Sequence, residues 1–325
     1  MKRIFILELM LLVCLLGCDS TPEQDHIKEK VNDQSGLKPE RPIVSFTFDD
    51  GLTSGLADYP FEEWNGKILE SLANANLKAI FFVTGSNKTD KRGHELLQSW
   101  SNSGHLIANH TWSHPNFSSE KHTAEEFARQ LSKTDSVISQ YETYSKLFRF
   151  PYLKEGKTRQ KVDAIRNVLS ENGYRNGYVT IDASDWYVNS RLIKRIKKAG
   201  REKTDFNAFR DFYLKHILER ALYYEDLSFE LTGRHIPHSL LLHHNLTSAL
   251  FLDELIAHFK ANGWQVIDAD AAYEDNVYSK VPTTIPSGES LIWSLAKESG
   301  LYDHKLRYPA EDSRYEKATM DKLGL

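Results

Sequence analysis

Five short clusters in this chain carry residue types able to hydrolyse an acyl bond. The first is Thr47-Phe48-Asp49-Asp50-Gly51. Two adjacent aspartates on an extended chain point to opposite sides, so one can bind a metal while its neighbour faces a substrate water. The second is His110-Thr111-Trp112-Ser113-His114. Histidines four apart share one face of a helical turn and can close on a single ion. With an upstream aspartate they supply the three protein ligands that a catalytic divalent site needs, leaving positions open for water. The remaining clusters are Arg149-Phe150-Pro151-Tyr152, Asp182-Ala183-Ser184-Asp185-Trp186 and Leu241-Leu242-His243-His244-Asn245. Each has a plainer explanation when taken alone: Asp-Asp-Gly marks turns, Arg149 suits a surface ion pair, Trp186 suits a core, and His243 suits a satisfied interior histidine. Their shared position is what counts against those explanations.

Each cluster directly follows a short apolar run. The strand candidates are Ile43–Phe48, Ala79–Val83, Leu106–Asn109, Leu147–Phe150, Gly177–Ile181, Ser239–His243 and Gln265–Ile267. Amphipathic segments lie between them, among them 66–74, 124–140, 158–172 and 250–262, with Gly173 and Gly263 placed as helix stops. This alternation predicts parallel β-structure covered by helices. Seven runs suit a barrel better than an open sheet, although periodicity does not separate the two. In α/β barrels chemistry gathers at the C-terminal ends of strands, where these clusters fall. The fold expected is therefore α/β, a distorted (β/α)7 barrel with a helical insertion and a C-terminal extension.

The five clusters resemble the five motifs of the polysaccharide deacetylases of carbohydrate esterase family 4, which include chitin and peptidoglycan deacetylases. Those motifs read T-F-D-D-G, H-[ST]-x-x-H, R-x-P-Y, D-x-x-D-W and L-x-H, and all five occur here in that order. The resemblance spans residues 42 to 272. It implies that Asp50, His110 and His114 hold a divalent metal, with Zn2+ as the default for a His/His/carboxylate set and Co2+ or Ni2+ able to take its place. It implies Asp49 as general base, paired with Arg149, and His243 as general acid, paired with Asp185. Asp182 is expected to support Arg149 or its loop. Tyr152 is expected to offer its backbone N–H to the oxyanion, and Pro151, Trp186 and Leu241 to line the substrate pocket. One departure is His244, which follows the motif histidine; strand alternation lets only one of the pair face the site and favours His243. The implied reaction removes N-acetyl groups from an amino-sugar glycan. The alternatives are an O-acetyl esterase using the same residues, or a glycan-binding lipoprotein without catalysis.

The bulk numbers leave room for this. At 325 residues the chain is long enough for one large core, and its 40% hydrophobic, 26% charged and 11% aromatic content is ordinary for a globular protein. A formal net charge of -4 gives no electrostatic footprint for nucleic acid. Residues 1–18 read as a signal peptide: Lys2 and Arg3, an apolar run from Ile4 to Leu16, then Leu15-Leu16-Gly17-Cys18, which resembles a bacterial lipobox. That resemblance implies lipidation at Cys18, loss of Cys14 with the signal, and a mature chain with no internal disulfide. Residues 19–40 are polar and suit a flexible tether. The barrel is expected over 41–280, with an insertion at 187–237 that carries the basic run Arg191, Lys194, Arg195, Lys197 and Lys198. That run is most simply a solvated helix face. Residues 281–325 form an extension. The expected protein is exported, anchored to a membrane by lipid on the periplasmic or cell-surface side, and monomeric, with an acetylated glycan as its partner.

Overall fold

The computed structural model describes residues 40–309 and 311–325. The signal segment, Cys18 and all but the last residue of the tether lie outside the described residues.

Strand β1 (Ile43–Asp50) is buried along seven of its eight residues, as expected for a strand covered on both faces. It pairs in parallel with β2 (Ile80–Val83) on one side and β7 (Pro237–His243) on the other. The sheet continues from β2 to β3 (Leu106–Asn109), β4 (Tyr144–Phe148) and β6 (Arg175–Asn176). The helices α1 (Phe61–Asn74), α2 (Lys91–Asn102), α3 (Ala124–Ile138), α4 (Arg159–Glu171) and α7 (Leu246–Ala261) form the crossovers. Their starts follow from local chemistry: the side chains of Asp90, Thr123, Thr158 and Asn245 each accept a backbone N–H of the first turn. Gly173 and Gly263 sit just past α4 and α7 with φ of 71° and 83°, a region that costs glycine nothing.

The fold class is α/β with parallel strands, but closure is irregular. The expected fifth strand, Gly177–Ile181, does not form a full ladder. The two residues before it, Arg175 and Asn176, pair with β4, and its end bridges to β7 through Ile181 and Leu240. One segment thus crosses from one edge of the sheet to the other, so neither edge has a continuous partner. The seventh run also departs from expectation. Strand β8 (Gln265–Val266) pairs with the first two residues of β1, below the stretch of β1 that β2 occupies. It takes no stave position of its own because β7 already adjoins β1. A short helix α8 (Ala269–Ala272) follows, and then Tyr273 and Tyr278. The Tyr278 hydroxyl donates to the carbonyl of Pro237, the first residue of β7, so this turn closes the N-terminal end of the barrel.

The 187–237 segment holds two helices with different tasks. α5 (Asp185–Ala199) is the added element. α6 (Phe206–Thr232) ends five residues before β7 and buries Phe209, Tyr213, Ile217, Ala221, Tyr224 and Leu227, so it is the crossover of the barrel itself. The C-terminal residues are not a separate appendage. β5 (Lys154–Gly156), directly after the Arg-Phe-Pro-Tyr cluster, pairs antiparallel with β9 (Ser287–Gly288). α9 (Leu291–Ser299) packs on α6, and α10 (Ser313–Leu323) packs on α5.

Candidate active site

Strand register brings the site together. Asp50 pairs with Val83, Val83 with Asn109, Asn109 with Phe148, and Asp49 with His243. Asp49, Asp50, His110, Arg149 and His243 therefore stand at one level of the barrel. All of these but Arg149, which is buried behind Asp49, open into a cavity of about 610 Å³ lined also by His114, Tyr152, Asp182, Trp186 and Leu241. Pro151, expected to line the pocket, is instead buried and does not reach the cavity, because the turn that follows presents Tyr152 and Leu153 to it.

One carboxylate oxygen of Asp50 lies 3.9 Å from His110 Nε2 and 3.7 Å from His114 Nε2. Ligand atoms of the three lie within 4.8 Å of one another, the one group of this kind found among the described residues. Bonds of about 2.0–2.2 Å to a tetrahedral cation need donors a little over 3 Å apart, so a small contraction would complete the site. The donor chemistry also fits. His110 Nδ1 lies 2.8 Å from the Arg149 carbonyl; as donor there it leaves Nε2 free as a lone-pair ligand. Burial, helped by nearby His110, lowers the His114 pKa to about 4, so that ring is neutral at physiological pH. The expected helical turn for this pair is absent. Residues 110–114 form a loop with left-handed backbone at Thr111 (φ 71°) and His114 (φ 57°), and this loop, not a helix face, turns both rings inward.

Asp49 presents a different environment. One oxygen accepts from Arg149 Nη1 at 2.7 Å, and the other lies 3.7 Å from His110 Nε2. Arg149 is almost fully buried and four of its five N–H groups are committed: Nε donates to the Gly177 carbonyl, Nη1 also to Thr47 Oγ1, and Nη2 to the Tyr273 hydroxyl. Its guanidinium lies over the Phe82 ring at 3.8 Å. Burial disfavours that charge, but Asp49 more than offsets it and raises the Arg149 pKa. Asp182 does not support Arg149 as expected, since none of the Arg149 bonds reach it. It faces the cavity, and burial raises its pKa to about 6.

His243 Nδ1 lies 2.6 Å from Asp185 Oδ1, while Asp185 Oδ2 accepts from the His243 backbone N–H and from Asn245 Nδ2. Burial opposes charge on His243, yet the Asp185 carboxylate wins, with Asp50 and Asp49 adding to it, and the pKa rises to about 10. His244 points the other way. Its ring packs 4.3 Å from Trp64 and 5.0 Å from Trp100, its Nε2 meets Asn65 Oδ1, and burial drives its pKa well below the ordinary value.

Several participants have no signal in the five clusters. Lys88, fully buried, donates to the carbonyls of Asp50 and Thr84 and to Asn87 Oδ1. Burial lowers its pKa to about 7. It sits under the left-handed Asp50 (φ 77°) and holds that carbonyl in place. Tyr273 carries Arg149 from below. Part of the cavity wall comes from the C-terminal residues Glu289, Tyr308, Pro309, Glu311 and Asp312, with Glu289 paired to Lys154. No spacing rule links residue 308 to residue 49; the β5–β9 pairing and the packing of α9 and α10 do.

Residues 36–177 match the family model described as Polysaccharide deacetylase. A peptidoglycan-N-acetylglucosamine deacetylase of Bacillus cereus is 36% identical over 110 residues, 34% of this chain and 36% of that protein. A peptidoglycan-N-acetylglucosamine deacetylase of Listeria monocytogenes is 28% identical over 159 residues, 48% of this chain and 30% of that protein. The chain thus spans about a third of the length of these curated relatives. A solved CE4 family pseudoenzyme from Bacillus anthracis superposes with a TM-score of 0.50 at 19% identity, covering 72% of this chain and 66% of that one. A mutant of it with restored activity gives the same TM-score at 20% identity. At that identity the likeness is one of fold.

Proposed function

We infer that this chain, whose residues 36–177 match the polysaccharide deacetylase family model, is a metal-dependent hydrolase that removes N-acetyl groups from an amino-sugar glycan. One observation carries the reading: a three-residue group able to hold a metal ion lies between an arginine-held carboxylate and a carboxylate-held histidine in one cavity.

Asp50, His110 and His114 would hold the divalent cation, and zinc suits two imidazoles and a carboxylate. Bound there, the cation supplies Lewis acidity that lowers the pKa of water towards about 7 and polarises the acetyl carbonyl. The rest is done by side chains of the chain. Asp49 takes the proton from the attacking water; Arg149 holds one of its oxygens and leaves the other towards the cavity. The turn at Tyr152, left-handed at φ 57°, sets that residue at the cavity edge, where its backbone N–H can face a developing oxyanion. His243 gives its proton to the departing amine, which is a poor leaving group unless protonated. Asp185 keeps His243 charged and aims its Nε2 away from the carboxylate. Leu241 and Trp186 supply the apolar wall for the acetyl methyl.

The test is acetate release from N-acetylglucosamine oligomers and from peptidoglycan, with and without added zinc. Full activity of Asp49→Asn would overturn the mechanism. Release from O-acetylated xylan alone would move the assignment to an esterase. The reading includes the location: a lipoprotein anchored through Cys18 and acting on a cell-envelope glycan. Radiolabelled palmitate that fails to enter the wild-type chain, or that still enters Cys18→Ala, would refute the anchor.

A further inference from the structure

Beside the reaction cavity lies a second one of about 530 Å³ whose lining is strongly cationic. Tyr187, Arg191, Lys194, Arg195 and Lys198 face it from α5, and Lys317 faces it from α10. The α5 positions recur at i, i+4, i+7, i+8 and i+11, one stripe of a single helix face. Arg191 and Lys317 share one carboxylate, Asp321. Arg191 and Arg195 also donate to the carbonyls of Leu325 and Gly324, which leaves Lys194 and Lys198 as the cations of this lining for which no hydrogen bond or ion pair is found among the described residues. A chain of net charge -4 has gathered these cations in one concavity, where fields from neighbouring charges add and raise the local concentration of anions.

Both walls of this cavity begin at the reaction site. Trp186, at the start of α5, lines the reaction cavity, and Tyr187, its ring 5.7 Å away, lines the basic one. Asp312, the N-cap of α10, lines the reaction cavity, and Lys317 lines the basic one. Two helices therefore lead from one cavity to the other. At 1.5 Å per residue, positions 191 to 198 lie roughly 7–18 Å along α5 from Trp186. A glycan with its acetylated sugar in the reaction cavity would lay its neighbouring units along this track.

We propose that the α5–α10 cavity is a binding site for anionic groups, carboxylate or phosphate, carried by the glycan next to the sugar being deacetylated. The site gives the enzyme a preference for acidic over neutral polymers. This rests on the deacetylase reading for its purpose, though not for its binding chemistry. The concave shape and the link through Trp186 and Tyr187 favour a polymer over a flat lipid surface.

The experiment compares the full-length chain with its Lys194→Glu/Lys198→Glu double variant. Both side chains are exposed, so thermal stability should be unchanged. Affinity is measured for a neutral N-acetylglucosamine tetramer, a muropeptide oligomer bearing carboxylates, a phosphorylated N-acetylglucosamine oligomer and phosphatidylglycerol vesicles, at low and high salt. The expected result is unchanged affinity for the neutral tetramer and at least tenfold weaker binding of an acidic oligomer. The salt dependence of acidic-oligomer binding should be markedly weaker in the variant than in the wild type. The carboxylate and phosphate arms show which anion the site takes. Equal losses on neutral and acidic oligomers, or no loss on either, would overturn the proposal. So would a variant that loses vesicle binding alone. If the binding difference appears but no glycan releases acetate, the anion site stands and the deacetylase reading falls.

Discussion

Replacing Asp185 with Asn probes the proton donor directly. The substitution keeps the shape and the oxygen that faces His243 Nδ1, but removes the charge. His243 is held up at about 10, against 6.5 for an ordinary histidine, which corresponds to about 5 kcal/mol in favour of the imidazolium. Burial acts against that charge, so the attraction of the carboxylates exceeds this net figure. Asp185 is the principal source, since its oxygen lies 2.6 Å away. Asp50 and Asp49 add to it, but a bound cation would cancel their share. Without Asp185, burial is uncompensated and the His243 pKa falls below about 6.5. At pH 7.5 less than about a tenth of the variant would then carry the proton to be donated. The rate on an N-acetylated oligomer should fall at least tenfold at pH 7.5 and recover towards pH 6, whereas the wild type stays flat over that range on the acid-limited side. A 4-nitrophenyl acetate control, whose leaving group needs no proton, should lose far less. A variant with an unshifted pH profile, or equal losses on the amide and the activated ester, would refute the assignment of His243 as acid and Asp185 as its support.

Removing the Lys88 ammonium by Lys88→Met should weaken zinc binding about 10- to 100-fold, the usual cost of losing an outer-shell partner, as read by calorimetry on the apo chain. An unchanged dissociation constant with lowered thermal stability would make Lys88 merely structural. Tyr273→Phe strands Arg149 Nη2 in the barrel interior and should cost about 1–3 kcal/mol in urea unfolding, as expected for an unsatisfied buried donor. Gly177→Ala would set a Cβ 2.4 Å from the Phe82 ring that stacks on Arg149. It should destabilise by about 1–3 kcal/mol and lower kcat through a displaced Arg149. Dialysis against a chelator should abolish acetate release, with zinc restoring it. Retained activity at undetectable metal content would remove Asp50, His110 and His114 from the reaction.

The amino-acid sequence by itself determined which groups meet at the strand ends. A chain whose apolar runs must be buried in parallel strands carries the residue after each run to one rim, and Asp49, Asp50, His110, Arg149 and His243 are all such residues. The helix stops at Gly173 and Gly263 were legible for a similar reason: a stop is local chemistry between residues at most four apart. Alternation also separated His243 from His244, because neighbours on a strand face opposite sides. The tertiary structure alone decided what depends on distant segments. The partial closure through 175–181, the displacement of β8, the Tyr273 contact with Arg149 and the Lys88 contact beneath Asp50 are pairings across tens to more than a hundred residues, which no period records. The His110–His114 loop misled for the complementary reason: a spacing of four fits a helical turn, while left-handed backbone at Thr111 and His114 reaches the same convergence by another path. The C-terminal wall of the cavity is the extreme case. Tyr308, Glu311 and Asp312 reach the site through the β5–β9 pairing and the packing of α9 on α6 and α10 on α5, and contacts between such distant segments leave almost no trace in a sequence.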